Sequence, residues 1–438
     1  MSNTSAIVKL WGLDIGAVLW DENSELAAFE YTPEFIATGI EVAPLKMPAA
    51  PGIKRFPGLN RDTFSGLPGL LADSLPDKFG NALINSWLAR QGRRPDSMNP
   101  VERLCYVGRR GMGALEFFPA FEFADNEEHA LDVKELVSLS NEVLNERAGL
   151  EAQLDTHVSA DAMRRVLQVG TSAGGARAKA IIAWNETSGE VRSGQLDLPP
   201  GFAHWILKLD GITHNRDKES LDDPQGYGIR EYVYYLMAKD AGLEMSECRL
   251  FRENGRSHFM TRRFDRSASG EKIMMQSLCA LGHYDFNIPG ACSYDELFIV
   301  MRDLGLGAKA IKQQFRRMVF NVLGCNRDDH TKNVAFLMDK QGQWSLSPAF
   351  DVTFSYNPLG KFTNGHQMTV NGKREEISRH DLLEVGLRAG LKKPFIVDAI
   401  EQVEHAVQQW QPLAEQHQVP TPLITETTQA LTTVHHHL

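Results

Sequence analysis

The stretch "GCNRDDHTKN", residues 324–333, crowds polar and ionisable side chains between two apolar segments. Before it runs "IKQQFRRMVFNVLG" (311–324). There Ile311, Phe315, Met318, Val319, Val322 and Leu323 recur at helical spacing, which predicts a helix with one stripe toward a core. After it runs "VAFLMDKQGQWSLSPAFDV" (334–352), which predicts a strand, a Gln341-Gly342 turn and a second strand. The polar stretch is therefore a loop held between a buried helix and a hairpin.

The inventory of that loop suits phosphoryl transfer. Asp328 and Asn333 are five residues apart, and Asp351 follows the second strand of the hairpin. Phosphoryl transfer uses one carboxylate to orient and deprotonate a hydroxyl. An amide oxygen and a second carboxylate then hold Mg2+ against nucleotide phosphates. Protein kinases space an Asp and an Asn in this way and place a metal-binding Asp after a later strand. Asp329 either shapes the loop or contacts a cation. His330 bonds within the loop, and Lys332 either pairs with a phosphate or a carboxylate or stays solvated.

Two earlier stretches extend the pattern. "GTSAGGARAK" (170–179) is rich in glycine; Gly170, Gly174 and Gly175 let backbone amides approach a phosphate closely. It lacks the Gly-x-x-x-x-Gly-Lys-Ser/Thr pattern of a Walker loop and leads into a strand, as a cover over a nucleotide does; taken alone it also reads as a plain turn. Lys208 sits within the apolar strand "HWILKLDG", so its ammonium must find a polar partner. Glu231, at the start of the next helix, is one candidate.

Composition sets the frame. The chain has 438 residues, which predicts two or three subdomains. Hydrophobic content of 42% and charged content of 23% are those of a globular protein. A net charge of -10 argues against a general nucleic-acid binder. The five cysteines are scattered, without a Cys-x-x-Cys pair, and predict reduced buried thiols. No apolar run approaches the roughly 18–20 residues that cross a bilayer. The N-terminus lacks the pattern of a signal peptide, so a cytoplasmic protein with no membrane contact is expected.

Along the chain, residues 5–45 predict a small antiparallel sheet. "LADSLPDKFGNALINSWLARQG" (71–92) predicts a helix with Phe79, Leu83, Trp87 and Leu88 on one face. "RLCYVGRRGMGALEFFPAF" (103–121) reads as turns followed by a strand. "REYVYYLMAKDAGLE" predicts a helix closed by Gly242. "CRLFRENGRSHFMTRRFDR" predicts a hairpin about Asn254-Gly255. Helical patterns dominate from about residue 290. The divisions drawn are 1–122 (a small sheet plus helix), 123–268 (the Gly-rich loop and strand lysine) and 269–438 (a helical lobe).

Taken together, "LADSLPDKFGNALI", "RLCYVGRRGMGALEF", "GTSAGGARAKA", "FMTRRFDR", "NRDDHTKN" and "LSPAFDV" resemble the HipA family of serine/threonine kinase toxins, and the likeness spans nearly the whole chain. The resemblance implies an α+β, two-lobed, distantly protein-kinase-like HipA fold. Its N-terminal lobe would be mixed α/β and its C-terminal lobe mainly helical. ATP and Mg2+ would be the cofactors, Asp328 the catalytic base, and Asn333 and Asp351 the metal ligands. Lys208 would contact ATP phosphates, with Gly174, Gly175, Lys179, His330 and Lys332 around the nucleotide. Arg262, Arg263 and Phe264 would line the adenine side through backbone groups. Ser172, or Thr171 beside it, would be autophosphorylated. Partners would be a HipB-like helix-turn-helix antitoxin, which makes most of the operator-DNA contacts, and a protein substrate such as an aminoacyl-tRNA synthetase. The loop departs from the family pattern with an extra Gly and an Arg, and the hinge carries Arg262 where Glu is expected. Two other functions fit the same residues: a catalytically silent nucleotide-binding component of a repressor, and a small-molecule kinase or nucleotidyltransferase.

Overall fold

The computed structural model describes residues 4–94, 97–121, 131–138, 140–141, 167, 170, 177–195, 198–212 and 225–437. Ser172, Thr171, Gly174 and Gly175 lie outside the described residues. Twelve strands among the described residues form three sheets, and every strand pair is antiparallel.

The first sheet joins β1 (Ser5–Leu10), β2 (Leu13–Asp21), β3 (Leu26–Tyr31) and β4 (Leu115–Phe118) in the order β3-β2-β1-β4. Ala6, Val8 and Leu10 alternate inward in β1, as strand geometry requires. Trp11 and Gly12 both take positive φ and close the β1–β2 hairpin in two residues.

One expectation fails here. Residues 103–107, read as turn-rich, belong to a helix, Pro100–Val107. Asn99 caps it by accepting from the Glu102 amide at 2.8 Å, and Pro100 occupies its first turn, where no amide is needed. The start is masked in the sequence because the cap lies upstream of the turn-forming glycines that dominate residues 103–121. The helix wedges between two cores: Val101 and Leu104 pack under the first sheet, and Tyr106 under the second.

The second sheet joins β5 (Lys179–Trp184), β6 (Val191–Ser193), β7 (Ala203–Lys208), β8 (Cys248–Glu253) and β9 (Arg256–Arg262) in the order β6-β5-β7-β9-β8. Asn254 and Gly255, at φ +43° and +77°, make the tight turn between β8 and β9. The Lys78–Arg90 helix lays Phe79, Leu83 and Leu88 against this sheet, beside Ile182, Trp205 and Leu207, with Trp87 at the margin.

The remaining chain is mainly helical, with a three-stranded sheet of β10 (Met274–Ser277), β11 (Ala335–Met338) and β12 (Trp344–Leu346) at its inner edge. Its central element is the Ala308–Leu323 helix. Phe315, Met318, Val319 and Leu323 are all buried there, in one core with Ile396, Ile400 and Val403 of the Lys393–Gln408 helix. Each such side chain contributes roughly 1.5–3 kcal/mol by leaving water, which anchors whatever follows the helix. All five cysteines are free and buried. Among the described residues, no helix is long and apolar enough to cross a membrane.

Candidate active site

The loop of residues 324–333 is fixed at both ends. Gly324 closes the Ala308–Leu323 helix, and Cys325 follows with φ +52°. Arg327 N donates to Ser355 O and Ser355 N to Cys325 O, each at 3.0 Å, so the loop lies along the chain that follows Asp351. At its far end Thr331–Asn333 forms a 3-10 turn that leads into β11. Asn333 Nδ2 donates to the Asp328 carbonyl at 2.8 Å and folds the loop upon itself. The amide oxygen of Asn333, on the opposite side of that group, remains an acceptor.

The two adjacent aspartates part company. The Asp328 side chain is 48% exposed, with His330 Nε2 3.8 Å from its Oδ1. The Asp329 side chain is fully buried and accepts from Tyr294 Oη, His366 Nδ1 and the Gln367 amide. Of the two roles open to Asp329, shaping the loop is the one its bonds describe. His330 and Lys332 both lie on the Phe286 ring, with the His330 ring centroid at 5.4 Å and the Lys332 ammonium at 4.8 Å.

Lys208 ends β7 and points its ammonium at two carboxylates. It is 2.5 Å from Glu231 Oε1 and also bonds Asp351 Oδ1. Glu231 is 2% exposed on the Tyr227–Asp240 helix, so the candidate pairing between strand lysine and helix glutamate is present. Asp351 holds a left-handed backbone, φ +53°, which Asp tolerates better than most residues. Burial raises the Asp351 carboxyl, but Lys208 and Lys179 outweigh it and hold it well below the ordinary carboxylate range. His330 adds to the same effect, which joins the loop of residues 324–333 to Asp351. Burial lowers the Lys208 ammonium, and Asp351 and Glu231 reverse that, leaving it firmly charged.

Lys179 opens β5 directly opposite Lys208 in the antiparallel register, so both side chains leave the same sheet face. The segment 262–266 is arranged differently. The Arg262 side chain is about half exposed, 3.9 Å from Glu247. Arg263 is buried and bonds Asp265 through Nε at 2.9 Å and Nη2 at 2.6 Å, so its side chain serves this pair. The Arg262 and Arg263 amides donate to Glu247 O and His204 O within the sheet. Phe264 packs on Phe350, with ring centroids 5.5 Å apart, one residue before Asp351.

One residue was missed. Asp77, in "LADSLPDKFGN", caps the Lys78–Arg90 helix by accepting from the Gly80 amide at 2.6 Å. Burial pushes its carboxyl up to about 6, against Lys179, the Gly80 amide and Lys332, which pull the other way. Lysines from β5 and from the loop of residues 324–333 thus both act electrostatically on a carboxylate of the N-terminal lobe. Its sequence signal was only that of a helix cap, which aspartates supply in many proteins.

The comparisons with known proteins bear on the family and the fold. The profile of the HipA-like C-terminal domain matches residues 171–410, and that of the HipA N-terminal domain matches residues 6–118. The chain belongs to the HipA family. A solved HipA-type structure shares its fold. The chain superposes on one from the Shewanella oneidensis MR-1 toxin–antitoxin complex of HipA, HipB and operator DNA, with a TM-score of 0.66 and 16% identity. That match covers 99% of this chain and 95% of the other. The α+β HipA fold expected from the sequence is therefore the fold observed. A second match, to the Helicobacter pylori proinflammatory kinase CtkA, has a TM-score of 0.31 and 12% identity, covering 52% of this chain and 92% of that one.

Proposed function

We propose that this HipA-family chain is an ATP- and Mg2+-dependent serine/threonine protein kinase, the toxin of a toxin–antitoxin pair. The observation that carries the reading is the meeting of Lys208, Glu231 and Asp351 beside a loop that spaces Asp328 and Asn333 by five. Asp351 and Asn333 offer only hard oxygen donors. Mg2+ accepts such a set, since it binds one or two carboxylates and fills its other positions with water and phosphate oxygens. Bound ATP and Mg2+ supply the reactive phosphorus and neutralise the charge that develops around it.

In this reading each side chain has one task. Asn333 and Asp351 hold the cation. Lys208 and Lys179 offer ammoniums to phosphate oxygens, and buried Glu231 keeps Lys208 aimed. Asp328, exposed to solvent, accepts the proton of the acceptor hydroxyl. Its neighbours His330 and Lys332 border the phosphates, and the backbone of Arg262–Phe264 borders the adenine. Residues 170–179, with Gly174 and Gly175, cover the nucleotide, and Ser172 is the site of autophosphorylation.

A HipB-like antitoxin is the proposed partner, supported by the company that the Shewanella protein keeps. A net charge of -10 suits a chain that leaves most operator phosphates to that partner. The proposed substrate is a cytoplasmic protein, with an aminoacyl-tRNA synthetase as the family precedent. The test is transfer of label from γ-labelled ATP in cell lysate, run beside Asp328→Asn. Labelling of the chain on Ser172 and of a second protein, both lost in the variant, is the expected result. Undiminished labelling with Asp328→Asn would overturn the assigned base.

A further inference from the structure

Beneath the loop of residues 324–333 lies a cavity of about 20 Å3, between the Ala308–Leu323 helix and the loop itself. Gln314, Arg317, Asn326 and Asp329 line it. Gln314 Oε1, Arg317 Nε and Asn326 Oδ1 are buried there without a partner among the described residues. A space of that size and polarity accepts about one water molecule. The underside of the loop is therefore not wholly close-packed.

Besides the backbone bonds to Ser355, a directed chain of hydrogen bonds that ends on Asp329 holds the loop. Asn326 Nδ2 donates to Asn321 Oδ1 at 2.9 Å, and Asn321 Nδ2 to Tyr294 Oη at 3.0 Å. Tyr294 Oη in turn donates to Asp329 Oδ2 at 2.7 Å. His366 Nδ1 meets the same oxygen at 3.0 Å, and the Gln367 amide donates to Asp329 Oδ1 at 2.7 Å. No arginine or lysine is paired with this buried carboxylate in these bonds, so its charge rests on these donors. Hydrogen bonds to an ionised group are about twice as strong as neutral ones. Burial and the facing Asp329 carboxylate hold the Tyr294 phenol protonated, well above its usual range, so it stays a donor. Asp329 lies one residue after Asp328 and four before Asn333, within the span that the Asn333–Asp328 bond closes.

We propose that Asp329 is a positioning residue: tied to Tyr294, His366 and Gln367, it fixes the loop backbone so that Asp328 and Asn333 keep their mutual geometry. This rests on Asp328 being the base and Asn333 a metal ligand. The role needs no contact with substrate, since small misplacements of a reacting group cost about 100-fold in rate.

The test uses the full chain as wild type, Asp329→Asn, Tyr294→Phe and Asp328→Asn. Three quantities are measured: the rate of phosphoryl transfer at saturating ATP, ATP affinity by calorimetry, and amide hydrogen exchange across residues 327–334. For Asp329→Asn, transfer is expected to slow about 100-fold with ATP affinity within about threefold. Exchange across 327–334 should quicken at least about tenfold while the Lys393–Gln408 helix is unchanged. Tyr294→Phe should slow transfer and quicken exchange about fivefold, the worth of one net hydrogen bond. A folded Asp329→Asn protein with wild-type transfer and exchange overturns the proposal. Should that variant not fold, Tyr294→Phe decides, and wild-type behaviour in both readouts overturns it. If the wild type transfers no phosphate, the kinase reading fails separately, and hydrogen exchange alone decides whether Asp329 pins the loop.

Discussion

Lys179 and Lys208 stand directly opposite each other in the β5–β7 ladder, and both ammoniums act on Asp351. Like charges in that relation repel, so the pair persists because Glu231, Asp351 and Asp77 surround it with negative charge. In the proposed function this arrangement receives phosphate oxygens. Lys208→Met should lower phosphoryl transfer by about 100-fold or more, since it removes a preorganised donor. Lys179→Met should cost about tenfold, and Glu231→Gln an intermediate amount, because Lys208 stays charged but loses its guide. Single-turnover labelling with γ-labelled ATP measures all three. A Lys208→Met enzyme as fast as wild type would remove the lysine from the site.

The proposed cation ligands have a separate signature. Asn333→Ala should raise the Mg2+ needed for half-maximal labelling about tenfold, equivalent to about 1.4 kcal/mol, by deleting one hard oxygen donor. Asp351→Asn should leave no measurable transfer at any Mg2+ concentration. It also removes one of the two partners of Lys208, so thermal unfolding is measured alongside. Mg2+ titrations that superpose for wild type and Asn333→Ala would exclude Asn333 as a ligand.

Asp77 makes a pH prediction. Its pKa rises from 3.8 to about 6 on folding, so the folded chain holds the proton more tightly than the unfolded one. Stability on this account falls as pH rises from about 4 to about 6, and the penalty is fully present above that. Asp77→Asn keeps a good helix cap but cannot ionise. It should raise the melting temperature by about 2 °C or more at pH 7–8, with the gain vanishing near pH 4. A gain that is equal at both pH values would point to a cause other than ionisation.

Asp265 ties the two sheets of the N-terminal lobe together. Its buried carboxylate accepts from Arg263, Arg266 and the Gly113 amide, while Arg263 and Arg266 also reach the Gly111 carbonyl. Burial raises its carboxyl, and the two guanidiniums outweigh that and hold it well below the ordinary range. Its contribution is therefore full above about pH 4 and lost as pH falls below. Asp265→Asn leaves two buried cations underpaired and should destabilise the fold by about 3–5 kcal/mol in urea unfolding. A loss under about 1 kcal/mol would show that the cluster adds little.

Much of this was legible in the chain because the signals are local. The stripe of Phe315, Met318 and Val322 marks a helix by its own period, and Asn254-Gly255 marks a hairpin by its backbone freedom. The five-residue spacing of Asp328 and Asn333 is likewise written in one loop. The helix at Pro100–Val107 was missed since its cap lies outside the segment read, where glycines dominate.

The sequence alone therefore determined most of the elements and the HipA family, and it supplied the short list of candidate chemical residues. Spacing to Asn333 singled out Asp328, but only the tertiary structure showed Asp329 buried against Tyr294 and His366, since nothing in two adjacent aspartates says which will be exposed. It also set Lys179 opposite Lys208, Glu231 against Lys208, and Asp77 within electrostatic reach of Lys179 and Lys332. Period and turn chemistry act over a few residues and are fixed by neighbours in the chain. Burial, register and charge depend on strand pairing and packing between segments as far apart as Asp77 and Lys332, and so come into being only when the chain folds.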